Sequence, residues 1–278
     1  MRSVLTFVAV ALLLPAVPTA AQAEETDTDV PQKLWFEVGG FRATTQTNLR
    51  LSGADPGDDV SFERDLDLPG NKTQAYLEAF WRPGRRHQVS LNWTRIKRDG
   101  GQVSLDEDIQ WGDDVFRVGA EVQGATDSEF LSGVYRFALY KNEKFEVGPA
   151  LGLGHIWITA TISGQAGIAG EEEELVREVA AEAKASSITG DIGGYFYWWP
   201  GRRFLARGDL RYIAVGLDNA DAAIAEGRVS LTWYPWSQVG VGAQYSYTKL
   251  RYDRDRLITE LGWTIQYDGL QILVSVAF

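Results

Sequence analysis

The residues whose types could carry chemistry here are chiefly carboxylates and guanidinium groups, and little is left for imidazole, because His87 and His155 are the chain's two histidines and it contains no cysteine. That inventory excludes thiolate metal sites, thiol nucleophiles and disulfide staples. His87 directly follows a short turn. His155 shares its numbering parity with Leu151 and Leu153, so neither imidazole is placed among the charged residues described below. Acidic residues gather elsewhere, at Asp55, Asp58, Asp59, Glu63, Asp65, Asp67, Asp106, Glu107, Asp108 and the run 171–174. Carboxylates of this kind can take Ca²⁺ or Mg²⁺, but their spacing matches no EF-hand loop. Blocks of like charge stay hydrated, so these positions are read as solvated surface, open to an extracellular ligand, with no metal and no cofactor expected.

The elements that must position the charged groups follow from composition and period. The chain has 278 residues, 45% of them hydrophobic and 12% aromatic, enough for one large domain. Its net charge is −11 and its 27 basic residues are scattered, which argues against a phosphate-binding face and hence against nucleic acid. Residues 1–23 carry Arg2, an apolar run at 4–14, Pro15 and Ala21-Gln22-Ala23. This is the pattern of a secretory signal peptide, too short in its apolar part to span a bilayer. Residues 24–32 read as a polar periplasmic leader, and residues 33–278 as the folded domain.

From residue 33 onward the period is two. Val89, Leu91 and Trp93 alternate with Gln88, Ser90 and Asn92, and the same alternation recurs at 75–82, 204–212 and 228–233. Successive strand side chains point to opposite faces, so one face is apolar and the other charged. Turn signals at Pro83-Gly84-Arg85-Arg86, Pro200-Gly201-Arg202-Arg203, 140–143 and 235–237 alternate with longer polar connections at 52–64, 164–185, 218–221 and 255–261. The resulting strands are 33–51, 65–83, 86–110, 115–139, 144–163, 186–199, 204–217, 222–235, 238–254 and 262–278. Ten is the expected number; eight or twelve stay open, since Asp268-Gly269 reads as either bulge or turn. A turn at 111–114 pairs Gln110 with Val115 and, at constant index sum, His87 with Ala138. Asp99-Gly100-Gly101 then falls opposite 124–126, where both strands can bend. Leu175, Val176, Val179, Ala180 and Ala183 recur at helical spacing, which predicts a short amphipathic helix over 171–185.

A signal peptide, period-two strands, alternating short and long connections, and a last strand Gln271-Ile272-Leu273-Val274-Ser275-Val276-Ala277-Phe278 ending in an aromatic together resemble bacterial outer-membrane β-barrel proteins. The resemblance implies export through the inner membrane, residence in the outer membrane and contact with its lipid. It also implies recognition of Phe278, with Val276, Val274 and Ile272, by the barrel assembly machinery. The physics is consistent, because open sheet edges cannot be satisfied in lipid and such strands must close into an antiparallel up-and-down barrel. Trp81, Trp198, Trp199, Trp233, Tyr234 and Trp236 lie near short turns and are expected to form an interfacial girdle on the periplasmic side.

With apolar positions outward, Glu78, Arg82, Arg136, Glu146, Asp191, Arg207, Asp209, Arg211, Glu226 and Arg228 point into the lumen. A barrel of this size has an interior hardly wider than its own side chains, so mixed charges should pair across it. Gly148, Ala150, Gly152 and Gly154 leave local space on one inner face for water or a large side chain. The expected role is structural or interactive at the surface, with a narrow solute pore as the alternative and an outer-membrane hydrolase as the second. Omptin-type proteases use Asp pairs with an Asp-His pair. Lipid A deacylases use His followed two residues later by Ser, where this chain has Val89 and Trp157. With no catalytic constellation in view, no enzymatic activity is expected.

Overall fold

In a computed structural model that describes residues 33–52, 57–168, 177–217, 220–255 and 260–278, the alternating segments form one antiparallel sheet system. Residues 1–32, which hold the expected signal peptide and leader, lie outside the described residues, as do Asp55 and the acidic run 171–174. Ten strands make the wall: β1 (Leu34–Leu51), β3 (Asn71–Gly84), β4 (His87–Ser104), β7 (Glu121–Phe137), β9 (Phe145–Ile168), β10 (Arg177–Gly201), β11 (Phe204–Leu217), β12 (Ala220–Trp236), β13 (Val239–Asp255) and β14 (Glu260–Ala277). Four short strands, β2 (Val60–Ser61), β5 (Ile109–Trp111), β6 (Asp114–Phe116) and β8 (Tyr140–Lys141), belong to the connections. Each wall strand pairs with the next. β14 returns to β1 from Trp35↔Ala277 to Leu51↔Leu261, so the barrel closes at ten strands without a free edge.

Several strand ends differ from the sequence reading: β3 begins at Asn71 rather than 65, leaving Leu66 and Leu68 to the filling; β4 stops at Ser104 and β7 starts at Glu121, with 109–116 turned into the short β5–β6 hairpin; and β9 runs on to Ile168. Two further differences are larger. The described residues contain no helix; positions 177–185 continue β10, paired with β9 from Arg177↔Ala166 to Ala185↔Ile158. Alanine, glutamate and lysine favour helix locally, but Glu182 and Lys184 also alternate with Ala181, Ala183 and Ala185. A partner strand offering a full ladder decides between the two periods. The second difference lies between β4 and β7, where the index sum is 225 from Ser104↔Glu121 to Gln102↔Gln123 and 224 from Asp99↔Ala125 to His87↔Phe137. Gly100 and Gly101 face Gly124 as a bulge, so His87 meets Phe137 rather than Ala138. The bulge also makes room inside. A Cβ on Gly124 would stand 2.6 Å from the Leu68 side chain, and one on Gly100 would stand 3.0 Å from it.

Outward positions carry an apolar band, with Val38, Leu77, Leu91, Leu153, Ile188, Leu210, Leu231 and Ile272 all exposed. The interior is layered. Near the termini, Trp35 stacks on Phe80 with ring centroids 4.6 Å apart, and Tyr195, Tyr197, Trp199, Leu205 and Tyr234 form a buried aromatic cluster. A polar layer follows. Toward the long connections the filling becomes apolar again, because Phe62, Leu66 and Leu68 enter the barrel and pack with Phe41, Ile96, Trp111, Phe116 and Ile162. Burying a leucine such as Leu66 contributes about 1.5–3 kcal/mol.

Candidate functional site: the lumen charge layer

Inward parity on seven wall strands brings the charged side chains to one level. Arg207 Nη2 lies 2.7 Å from both carboxylate oxygens of Glu37, and its guanidinium sits 4.9 Å from the centre of the Phe80 ring. Arg136 contacts Asp209 at 2.7 and 2.9 Å and donates to Ser90 Oγ at 2.8 Å. Arg228 bridges Glu78 at 3.2 Å and Asp209 at 3.8 Å, while the Tyr76 hydroxyl also donates to Glu78. Arg211 grips Asp191 at 2.8 and 3.0 Å and Glu226 from its other nitrogen. Closer to the short turns, Arg82 binds Glu146 bidentately at 2.9 and 3.1 Å, with Lys141 at 3.1 Å and the Tyr195 hydroxyl at 2.9 Å on the same carboxylate.

The structure thus places all ten residues read as lumenal in this layer. It adds Glu37, Lys141, Tyr76 and Tyr195, which sequence reasoning did not single out. Glu37 was detectable, since Phe36 and Val38 on either side are apolar and outward. Lys141 was not, because it reaches Glu146 from a turn. The space at Gly152 is filled as its size suggested: a Cβ there would fall 2.3 Å from Asp191 and 2.5 Å from Arg211.

Electrostatically the layer is self-contained. Each cation has a carboxylate partner, as the low-dielectric interior demands, because an isolated buried charge costs several kcal/mol. A cavity of ≈ 10 Å³ between Glu78, Arg136, Arg207, Asp209 and Arg228 is room for about one water. Such an arrangement can hold the wall together and block passage.

A second polar device fixes the inserted segment. Glu63 accepts the Thr47 backbone N–H at 2.7 Å and pairs with Arg98, whose guanidinium also reaches Thr47 Oγ1. Over it, Asp58 and Gln110 exchange bonds of 2.8 and 3.1 Å, and the Gly112 N–H donates to Leu51 at 2.8 Å. Several acidic connection residues are therefore structural acceptors. Asp108 accepts from the Val118 N–H at 2.7 Å and from Arg117 at 2.8 Å, and these bonds hold its carboxyl below the usual range. Among the described residues no group of three His, Asp or Glu side chains is arranged to hold a metal.

The aromatic girdle needs a correction. Trp81, Trp198, Trp233 and Trp236 are exposed, whereas Trp199 and Tyr234 are buried at 4% and 0%. Adjacent strand residues alternate faces, so Trp198-Trp199 and Trp233-Tyr234 cannot both point outward. Trp157, Tyr212 and Tyr245 are further exposed aromatics on the outer wall. The two histidines are outward. His87 Nδ1 lies 2.7 Å from the Tyr135 hydroxyl, and His155 Nε2 lies 2.8 Å from Ser186 Oγ. That second pairing was hidden by reading residues 164–185 as a loop.

A closed ten-strand wall with an apolar outer band, a packed polar lumen and short turns at the terminal end defines the outer-membrane type of β-barrel. Solved structures of that type are its neighbours. The outer-membrane protease OmpT of Escherichia coli matches with a TM-score of 0.56 at 11% identity, over 89% of this chain and 97% of that one. The transport unit of the autotransporter AIDA-I from Escherichia coli matches with a TM-score of 0.40 at 8% identity, over 93% of each chain. The Pseudomonas putida toluene transporter TodX matches with a TM-score of 0.38 at 8% identity, over 90% of this chain and 91% of that one. At these identities the likeness is one of fold. No protein-family model matches the chain, and no curated protein does.

Proposed function

We propose that the protein is an exported, integral barrel of the bacterial outer membrane whose role at the cell surface is structural or interactive rather than conductive. The observation supporting this reading is that the lumen is filled twice, by the Glu37–Arg207 charge layer and by the inserted Phe62–Leu66–Leu68 segment. Its partners are then outer-membrane lipid along the apolar band, the barrel assembly machinery at Phe278, and an extracellular ligand at the exposed carboxylates Asp59, Asp67, Asp106 and Glu107. Planar-bilayer recording tests the closed lumen. The purified barrel should give no discrete openings, and openings whose conductance changes in Arg207→Gln or Arg211→Gln would establish the narrow-pore alternative instead.

A further inference from the structure

On the outer wall we propose that Ser186 and His155 form a catalytic dyad that cleaves carboxylic esters of lipids in the adjoining leaflet. Ser186 Oγ stands 2.8 Å from His155 Nε2. The imidazole is held flat against the Trp157 indole, with centroids 4.0 Å apart and planes 9° apart. Glu129, opposite Trp157 on β7, accepts from the Trp93 indole at 2.8 Å, so stacking rather than that carboxylate orients the ring.

The pair sits where the wall changes character. On one side of it the outward residues are the exposed Leu153 and Ile188; on the other they are Thr159 and Lys184. That junction is the depth at which a lipid carries its acyl esters, with the chain below and the headgroup above. Below Ser186 the outward row of β10 runs Ile188, Gly190, Ile192, Gly194, Phe196, and it enters a largely apolar depression of ≈ 550 Å³ lined by Ile192, Gly194, Phe196, Leu210 and Tyr212 and bordered by the lumenal Asp209 and Arg211. Six residues of strand from Ser186 to Ile192 cover about 20 Å, comparable to a long fatty acyl chain. An ester whose carbonyl lies at Ser186 can therefore seat its chain terminus in the depression.

The reaction is acyl transfer to serine, then to water. With the proton of the neutral imidazole on Nδ1, Nε2 takes the Ser186 hydroxyl proton as Oγ bonds to the ester carbonyl carbon. The C–O bond to the alcohol breaks, and the leaving oxygen receives that proton from Nε2. Water then attacks the acyl-serine through the same imidazole, releasing fatty acid and restoring the hydroxyl.

This inference is independent of whether the lumen conducts. The test uses the full barrel in detergent micelles, with a fluorophosphonate probe and para-nitrophenyl acyl esters of graded chain length. Heat-modifiable migration serves as the check of folding. Mass spectrometry should place the adduct on Ser186, and both Ser186→Ala and His155→Asn should lower hydrolysis about 100-fold or more while remaining folded. Ile192→Trp should shift the preferred chain length downward while leaving the adduct intact. A folded protein that gives neither adduct nor hydrolysis overturns the proposal, as does hydrolysis unchanged in Ser186→Ala; an unchanged chain preference in Ile192→Trp overturns the seating of the chain.

Discussion

Glu37 and Arg207 lie 170 positions apart on strands β1 and β11, which do not pair with each other, yet both carboxylate oxygens stand 2.7 Å from one guanidinium nitrogen. The pair spans the lumen. It ties the N-terminal strand to the far wall, next to the β1–β14 seam where the barrel closes.

Removing one partner leaves the other buried and uncompensated. Glu37→Gln is therefore expected to destabilise the barrel by about 3–5 kcal/mol, measured as a shift in the urea midpoint of bilayer refolding. The double variant Glu37→Gln/Arg207→Met should recover part of that loss, because it leaves no stranded cation. A double variant as unstable as the sum of its singles would mean that the pair is not coupled.

Orientation of the wall is tested at adjacent residues of β4. Leu91 is exposed on the apolar band, whereas Asn92 faces the lumen opposite Ser132 and Glu78. Leu91→Arg should cost about 2–4 kcal/mol if it lies near the bilayer midplane, and Asn92→Arg much less. Equal penalties in the refolding assay would contradict the assigned faces.

The inserted segment depends on Arg98, which is 2% exposed and pairs with Glu63 at 18% side-chain exposure. Because Glu63 keeps some contact with solvent, Arg98→Gln is expected to cost about 1.5–3 kcal/mol, less than breaking the deeper pair. The readout is local: protease cleavage between residues 60 and 70 should accelerate while the wall stays resistant.

Asp108 gives a pH dependence with a definite sign. Its carboxyl is held below the ordinary value of about 3.9 by the Val118 N–H and by Arg117. The contribution to the 105–120 connection is thus complete above that ordinary value and is lost as pH falls through the lower, folded-state one. The Val118 amide resonance should shift in that window, and in Asp108→Asn the shift should disappear.

The wall was legible in the sequence because its signal is local. Val89-Ser90-Leu91-Asn92 states which side chains meet lipid and which do not, and Gly100-Gly101 opposite Gly124 marks the bend. What misled was also local. Ala180 to Lys184 satisfies two periods at once, and only the β9 ladder selects the strand. Trp199 and Tyr234 looked interfacial from their nearness to turns, while parity with Trp198 and Trp233 sends them inward. The filling of the outer lumen gave no signal at all. Phe62, Leu66 and Leu68 lie in a polar stretch, and nothing in their spacing shows that they enter a cavity built by strands far away in the chain.

Sequence alone determined the class of fold and the facing of most wall positions, because alternation is written residue by residue; that ten strands rather than eight or twelve make the wall was decided by the closure of β14 on β1. Which cation meets which carboxylate, and that Ser186 meets His155, was decided by the register of ten strands and by barrel closure. Those contacts join residues up to 170 positions apart, and pairwise distances of that range exist only after every intervening strand has found its neighbour.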